Sequence, residues 1–359
     1  MDEECTVLTS YLPERQHAEG VNSGEALIEF YARRRTEASI LLRGIEGSGR
    51  QHRADRSLPL PPEPTVTAVA VETRPNVAAA LDETLRLARP RTVTMGRARL
   101  LSGEIDPVWL GEGPAEATRL TLHCRQGDRA YQIPAFEAAC ELLYRRQIAG
   151  ATVLSGGYVA GSAHGGLQRG PFVRRDADVP LMVIAVGAGN RMAMLLPELG
   201  GMFRRPLMTI ETVRLCKRDG QFVSHPRSIA GPADADADAH TAAAMGMTAQ
   251  LKLTVYTSEA ARHDGQPVHR AIVRSLGSAE INEVTTVRGI WGYHGAHAPH
   301  GDHFPRQARH VPVVTTIIGP PAGISAAFDA LDPLTPERGL VTVETVLATR
   351  PSADRAATC

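Results

Sequence analysis

Hydrophobic positions along this chain follow two periods. Runs such as VTAVAV, LMVIAV and VVTTII put apolar side chains at neighbouring positions, the pattern of strands buried on both faces. Between such runs Ile133, Phe136, Cys140 and Leu143 recur at three- and four-residue steps, as do Val268, Ile272 and Leu276; each set predicts a helix with one inward stripe. Pro267 suits the first turn of the later helix, where its missing N–H costs nothing. A second helix is predicted in each of three stretches, over Val77 to Leu87, Met192 to Phe203 and Ile324 to Leu331.

The patterns recur because the sequence does. Leu8-Thr9-Ser10-Tyr11 aligns with Leu120-Thr121-Leu122-His123 and with Leu253-Thr254-Val255-Tyr256. The same pair of offsets carries Arg43-Gly44-Ile45 onto Ser155-Gly156-Gly157 and onto Arg288-Gly289-Ile290. Unit ends agree as well, as VTMGRARL, MTIETVRL and VTVETVLA, once the middle unit is allowed an insertion in the Gly-rich stretch after Gly157. Each unit reads strand, helix, strand, Gly-rich loop, strand, helix, strand. The expected fold is therefore α+β: three tandem ferredoxin-like βαββαβ domains over 1–102, 117–219 and 249–351, with 220–248 an acidic linker. Such a unit covers one sheet face with its helices and leaves the other bare. Three bare faces packed about one axis would give an intramolecular pseudo-trimer.

Lys+Arg and Asp+Glu both number 39, so no global field draws the molecule to nucleic acid or to an anionic membrane. All of the basic residues but Lys217 and Lys252 are arginine, spread along the whole chain. No run approaches the roughly 18 apolar residues of a membrane span, and the acidic start lacks the features of a signal peptide. The 5 cysteines are scattered and never form C-x-x-C, so neither a disulfide framework nor a zinc site is indicated. A cytoplasmic location is the expectation.

The third unit, with RHDGQPVHRAIV, RGIWGYHG and GLVTVETV, resembles the DUF190 family (UPF0166), whose members are similar to PII-like signalling proteins. The other units depart from it: Ser155 replaces the arginine in the second, and neither keeps a counterpart of Arg262-His263. The resemblance implies PII-like domains that bind a small ligand, often a nucleotide, in clefts between units; an adenine nucleotide is one candidate and a divalent metal another. It also implies loops between the second and third strands that touch a membrane transporter, a channel or an enzyme.

The Gly-rich loops are the candidate ligand sites, because converging backbone N–H groups and a nearby guanidinium bind anions. Arg43, Gly44, Gly47, Gly156, Gly157, Arg288, Gly289, Trp291 and Gly292 are the residues concerned, with His263 ahead of the third unit's first helix. No Walker or Rossmann spacing accompanies them, and a loop needing positive φ explains the same glycines. Trp291 could stack on a base or seal a domain contact. His294, His297, His300 and His303 form H-x-x-H-x-x-H-x-x-H, a candidate divalent-metal set and the basis of an alternative ion-homeostasis function. A ligand-free assembly scaffold is the third reading. No nucleophile with a base and an orienting partner can be named, so an enzyme is not expected.

Overall fold

The computed structural model describes residues 2–18, 20–49, 64–73, 77–105, 110, 113, 115–160, 168–169, 179–228, 246–276, 280–295, 297–301, 310–335 and 339–349. The first copy runs β1 (Asp2–Pro13), α1 (Ser23–Arg34), β2 (Ala38–Gly49), β3 (Thr65–Thr73), α2 (Val77–Ala88) and β4 (Thr92–Ser102). In the second, β5 (Glu116–Arg125), α3 (Ala135–Arg145), β6 (Gly150–Ala160), β7 (Pro180–Gly187), α4 (Gly189–Gly201) and β8 (Leu207–Arg218) follow. The third has β9 (Met247–Ser258), α5 (Val268–Ser275), β10 (Glu283–Arg288), β11 (Trp291–His294), β12 (Pro312–Gly319), α6 (Pro321–Leu331) and β13 (Leu340–Thr349).

These elements do not form three ferredoxin-like βαββαβ domains. All the long strands join one 16-stranded sheet, within which ten antiparallel strands close a barrel in the order β2-β10-β12-β9-β13-β4-β8-β5-β7-β6 and back to β2. Long second strands cause this. Ala38 to Arg43 of β2 pair with β3 of their own copy, whereas Gly44 to Gly49 pair with β10 of the third. Gly150 to Ser155 of β6 likewise pair with β7, and Gly156 onward with β2. In the third copy β10 pairs with β12, and β11 continues onto β6. The overhanging halves carry N–H and C=O groups that only a neighbouring copy can satisfy. Closing strands repeat the exchange, β4 with β8, β8 with β13 and β13 with β4.

Helices cover the outside. Asn22 caps α1 by accepting from the backbone N–H of Gly24 at 3.0 Å, and Arg35 ends it in the left-handed region. Pro267 stands one place earlier than expected, in an extended conformation at the cap of α5, and pairs with Arg262 in a short hairpin. Phe136, Cys140 and Leu143 point inward, as do Val268, Ile272 and Leu276, while Ile133 is exposed on the hairpin before α3. Part of the expected linker is folded: Gln221–Phe222 pairs with the end of β8, Phe222 meets the Phe328 ring of α6, and His225 bonds Asp329 at 3.0 Å. Its acidic run, 229–245, lies outside the described residues.

The strands' inner faces line a central cavity of ≈ 100 Å³ with contributions from all three copies. Two cross-strand charge pairs stand there, Arg119 opposite Glu211 and Lys252 opposite Glu344. Arg119 also reaches across copies, its Nη2 donating to Glu344 Oε2 at 2.8 Å while its Nε donates to Glu211 Oε2 at 2.9 Å. Lys252 Nζ lies 2.9 Å from Glu344. Burial alone would raise the Glu344 carboxyl, but Arg119 and Lys252 hold it below its usual range. In the first copy the same register holds Val7 opposite Gly96, so cation and anion are both absent and the interior stays balanced.

Candidate functional site

A cleft of ≈ 290 Å³ opens between the first and third copies, lined by Ile45 and Glu46 on one side and by Glu259, Arg262, Pro267, His269, Arg270 and Arg288 on the other. Local geometry explains how they meet. The hairpin Arg262–His263 to Gln266–Pro267 turns through Asp264 and Gly265, both at positive φ, the backbone a two-residue turn requires. That turn launches α5, whose first residues present His269 and Arg270 to β2 of the first copy. Opposite them, Ile45 is the extra residue of a bulge between Gly44 and Glu46, which re-aims β2 as it changes partner.

Arg288 ends β10 and pairs with Glu259 at 2.9 Å. Arg270 hydrogen-bonds Glu46, and His269 Nε2 stands 4.0 Å from the same carboxylate. Arg262 donates to the Glu259 carbonyl at 2.7 Å. Three guanidiniums therefore face two carboxylates, leaving a net positive cleft. His269 is only 5% exposed, and its Nδ1 has no hydrogen-bond partner among the described residues. Burial lowers its pKa, against the opposing pull of Glu46, so near neutrality it offers an uncharged imidazole that can donate or accept. The arrangement suits a small anion with a polar group directed at the imidazole.

Arg288 is the sequence-selected residue that lines this cleft; Glu46, Glu259, Arg262, His269 and Arg270 were not selected. The signal for two of them was the motif VHRAIV, which contains His269 and Arg270. His263 sits beside the cleft, 3.6 Å from Asp264. Arg43 is exposed and ion-paired with Glu14 of its own copy.

The glycines have a packing task. A Cβ on Gly44 would lie 2.5 Å from the Thr65 carbonyl oxygen, and one on Gly289 would lie 2.9 Å from that of Pro312. Gly47 and Gly156 are equally close to Thr65 and Ile40. Gly157 occupies a bulge in the β6 pairing with β2. Gly289 N–H donates to the Pro312 carbonyl at 2.8 Å and Ile290 N–H to that of Val153 at 2.8 Å, so neither is directed at an anion.

The counterpart of Glu46 in the third copy is Trp291, and the counterpart of His269 in the second is Phe136. Those two rings meet edge to face at 6.2 Å. Tyr293 is buried beside them and donates to the Ile148 carbonyl at 3.0 Å, and Gly292 pairs with Thr152. Trp291 and Gly292 thus close the interface between the second and third copies. Of the histidine series, His294 and His297 stack at 6.3 Å, and both ring nitrogens of His300 face carbonyl oxygens, Ala298 at 2.9 Å and His310 at 2.7 Å. His303 lies outside the described residues, among which no group of three or more His, Cys, Asp or Glu could hold a metal.

No helix of the described residues is long and apolar enough to cross a membrane. Comparison with curated proteins found no match. Among solved structures, the crystal structure of aspartate kinase from Synechocystis aligns with 9% identity and a TM-score of 0.23, over 96% of this chain and 44% of that one. The chain thus spans less than half the length of that protein, and a likeness at this score carries no argument. The DUF190 family model, described as "Uncharacterized ACR", matches three times, at residues 5–100, 117–215 and 250–348. Those matches span most of the sequence, and the chain belongs to the DUF190 family.

Proposed function

We propose that this protein is a non-enzymatic, PII-like regulator that binds one small anionic ligand, an adenine nucleotide being the leading class, in the cleft between its first and third copies. The observation that carries this reading is the convergence of Arg262, Arg270, Arg288 and the buried His269 on a net positive cleft. Membership of DUF190 is compatible with a regulatory role of this kind. The neighbouring clefts are poorer in that chemistry: the one before α1 has Gly24 and Glu25 in place of His269 and Arg270, and the one before α3 is filled by Trp291 and Phe136. Signal output to a transporter, channel or enzyme is assigned to the loops between second and third strands. Their central parts, 51–63, 170–178 and 302–309, lie outside the described residues.

A thermal-shift screen of ATP, ADP, AMP, cyclic dinucleotides and bicarbonate tests the reading. A stabilising ligand with one site per chain is expected, and Arg270→Met should weaken it about 10- to 100-fold, the worth of one charge-assisted hydrogen bond. No response to any anion, or three equivalent sites per chain, would reject it.

A further inference from the structure

The first and third copies are the pair not consecutive in the chain, and the seam between them is built unlike the others. Glu283 opens β10 with 0% exposure, and its counterparts are Ala38 and Gly150. Its cation is Arg91 of the first copy, 9% exposed, whose counterparts are Pro206 and Gly339. An acid and a base have therefore been placed together at one of three equivalent interfaces, as a pair.

The pair is poorly satisfied. Arg91 Nε approaches Glu283 Oε2 at 3.4 Å, and neither atom makes a hydrogen bond among the described residues. The other carboxylate oxygen accepts from Thr285 Oγ1 at 3.3 Å. Arg91 also bonds Thr65 at 2.5 Å. Among the described residues no further cation compensates: Tyr11 of β1 is close enough to feel the Glu283 charge, and Lys252, two strands away on the same row, is engaged by Glu344. Glu283 pairs with Gly49 on β2, and Thr286, three residues on, pairs with Glu46, which enters the ligand cleft. Seam and cleft thus share one ladder.

We propose that the β2–β10 seam is a proton-responsive latch on the anion cleft: with Glu283 neutral the ladder holds and Glu46 is fixed, and with Glu283 ionised the ladder loosens and the cleft binds anions less tightly. The idea rests on the cleft being the ligand site. Burial first, opposed by Arg91, raises the Glu283 carboxyl from 4.5 to about 7, so the latch works around neutral pH. The sign follows: a carboxyl whose folded pKa is raised adds stability that is complete below its unfolded value and is lost as pH rises through the folded one.

Hydrogen exchange of the β2 and β10 amides in the full chain without ligand, at about pH 6 and about pH 8, reads the latch directly once intrinsic rates are divided out. Protection in the wild type should fall about ten-fold over that interval, the proton-linkage factor for this shift. Glu283→Gln should abolish the fall. Glu283→Ala, the residue the first copy carries as Ala38, should do the same if glutamine packs badly. Equal wild-type protection at both values, or a pH dependence that survives in both variants, overturns the latch. Inorganic sulfate, whose charge is constant over this range, is titrated in parallel. Wild-type affinity should be several-fold weaker at the higher pH and the difference reduced in Glu283→Gln. Absence of sulfate binding at either pH sinks the cleft reading itself, whereas binding with the same pH profile in wild type and variant sinks only its coupling to the seam.

Discussion

Replacing Arg119 by methionine should be among the most damaging single changes in this protein. The guanidinium is 6% exposed and holds two carboxylates, Glu211 at 2.9 Å and Glu344 at 2.8 Å, in the interior shared by all copies. Methionine keeps most of the volume, so the loss is electrostatic rather than a cavity. Glu344 retains Lys252 at 2.9 Å, but Glu211 is left charged and buried without its cation. Removing one partner of such a pair costs about 3–5 kcal/mol. Adding Glu211→Gln takes away the stranded charge, and the double variant should recover about 1–3 kcal/mol of that deficit, an interaction energy typical of contacting residues. Urea unfolding near neutral pH gives both numbers from the midpoint, provided the slope is unchanged. The pH dependence has a definite sign. Glu344 is held below 4.5 in the folded state, so its contribution is present above that value and lost as pH falls. The deficit of Arg119→Met should therefore shrink in acid. A loss below about 1 kcal/mol, or a double variant no better than the single, would refute the view of the interior as a charge-balanced network.

Two further outcomes follow from backbone geometry. Gly289→Ala should destabilise by about 1–3 kcal/mol, because its Cβ would meet Pro312 O at 2.9 Å, Thr152 Cγ2 at 3.1 Å and Val153 O at 3.2 Å; a neutral result in chemical denaturation would contradict the packing task given to this residue. Tyr131 and Gln132 form a hairpin turn with φ of 51 and 69 degrees, where the third copy has Asp264-Gly265, and Tyr131 is 78% exposed. Tyr131→Asn with Gln132→Gly should raise stability by about 1–2 kcal/mol, and an unchanged melting temperature would show that the turn stores no strain.

The repeat was legible because identical hydrophobic patterns at fixed offsets survive sequence drift. VTAVAV, LMVIAV and VVTTII became strands buried on both faces, and α2, α4 and α6 begin within a few residues of where periodicity put them. The barrel was not legible. The strand passes from β3 to β10 at Arg43-Gly44-Ile45 through a bulge at Ile45, and the order of apolar and polar residues there does not mark the change of partner. The glycines were selected for anion contact, but close backbone approach selects glycine as strongly as anion contact does. Most of the cleft residues were missed because Glu46 and Arg270 are far apart in sequence and meet only through the copy-to-copy exchange. Arg288 was found because its motif repeats.

Fusion of three copies removes a constraint that a symmetric trimer cannot escape. Identical subunits must repeat each residue three times about the axis, so an interior Arg–Glu pair would come as three cations and three anions, all to be desolvated together. Here the first copy has exchanged both members for Val7 and Gly96, while the other two retain theirs. The second copy has likewise lost both partners of the pair that Arg43 forms with Glu14 and Arg288 with Glu259, carrying Ser155 and Gln126 instead. Loss in matched pairs is what electrostatics demands, since a single deletion strands a charge. Once equivalence is gone, each interface can specialise: Trp291 and Phe136 rivet the second copy to the third, and Arg91 and Glu283 mark the seam between first and third. On the proposed reading, a cleft whose counterparts are a rivet and an acidic variant of itself answers one ligand rather than three, and a single proton at Glu283 biases it.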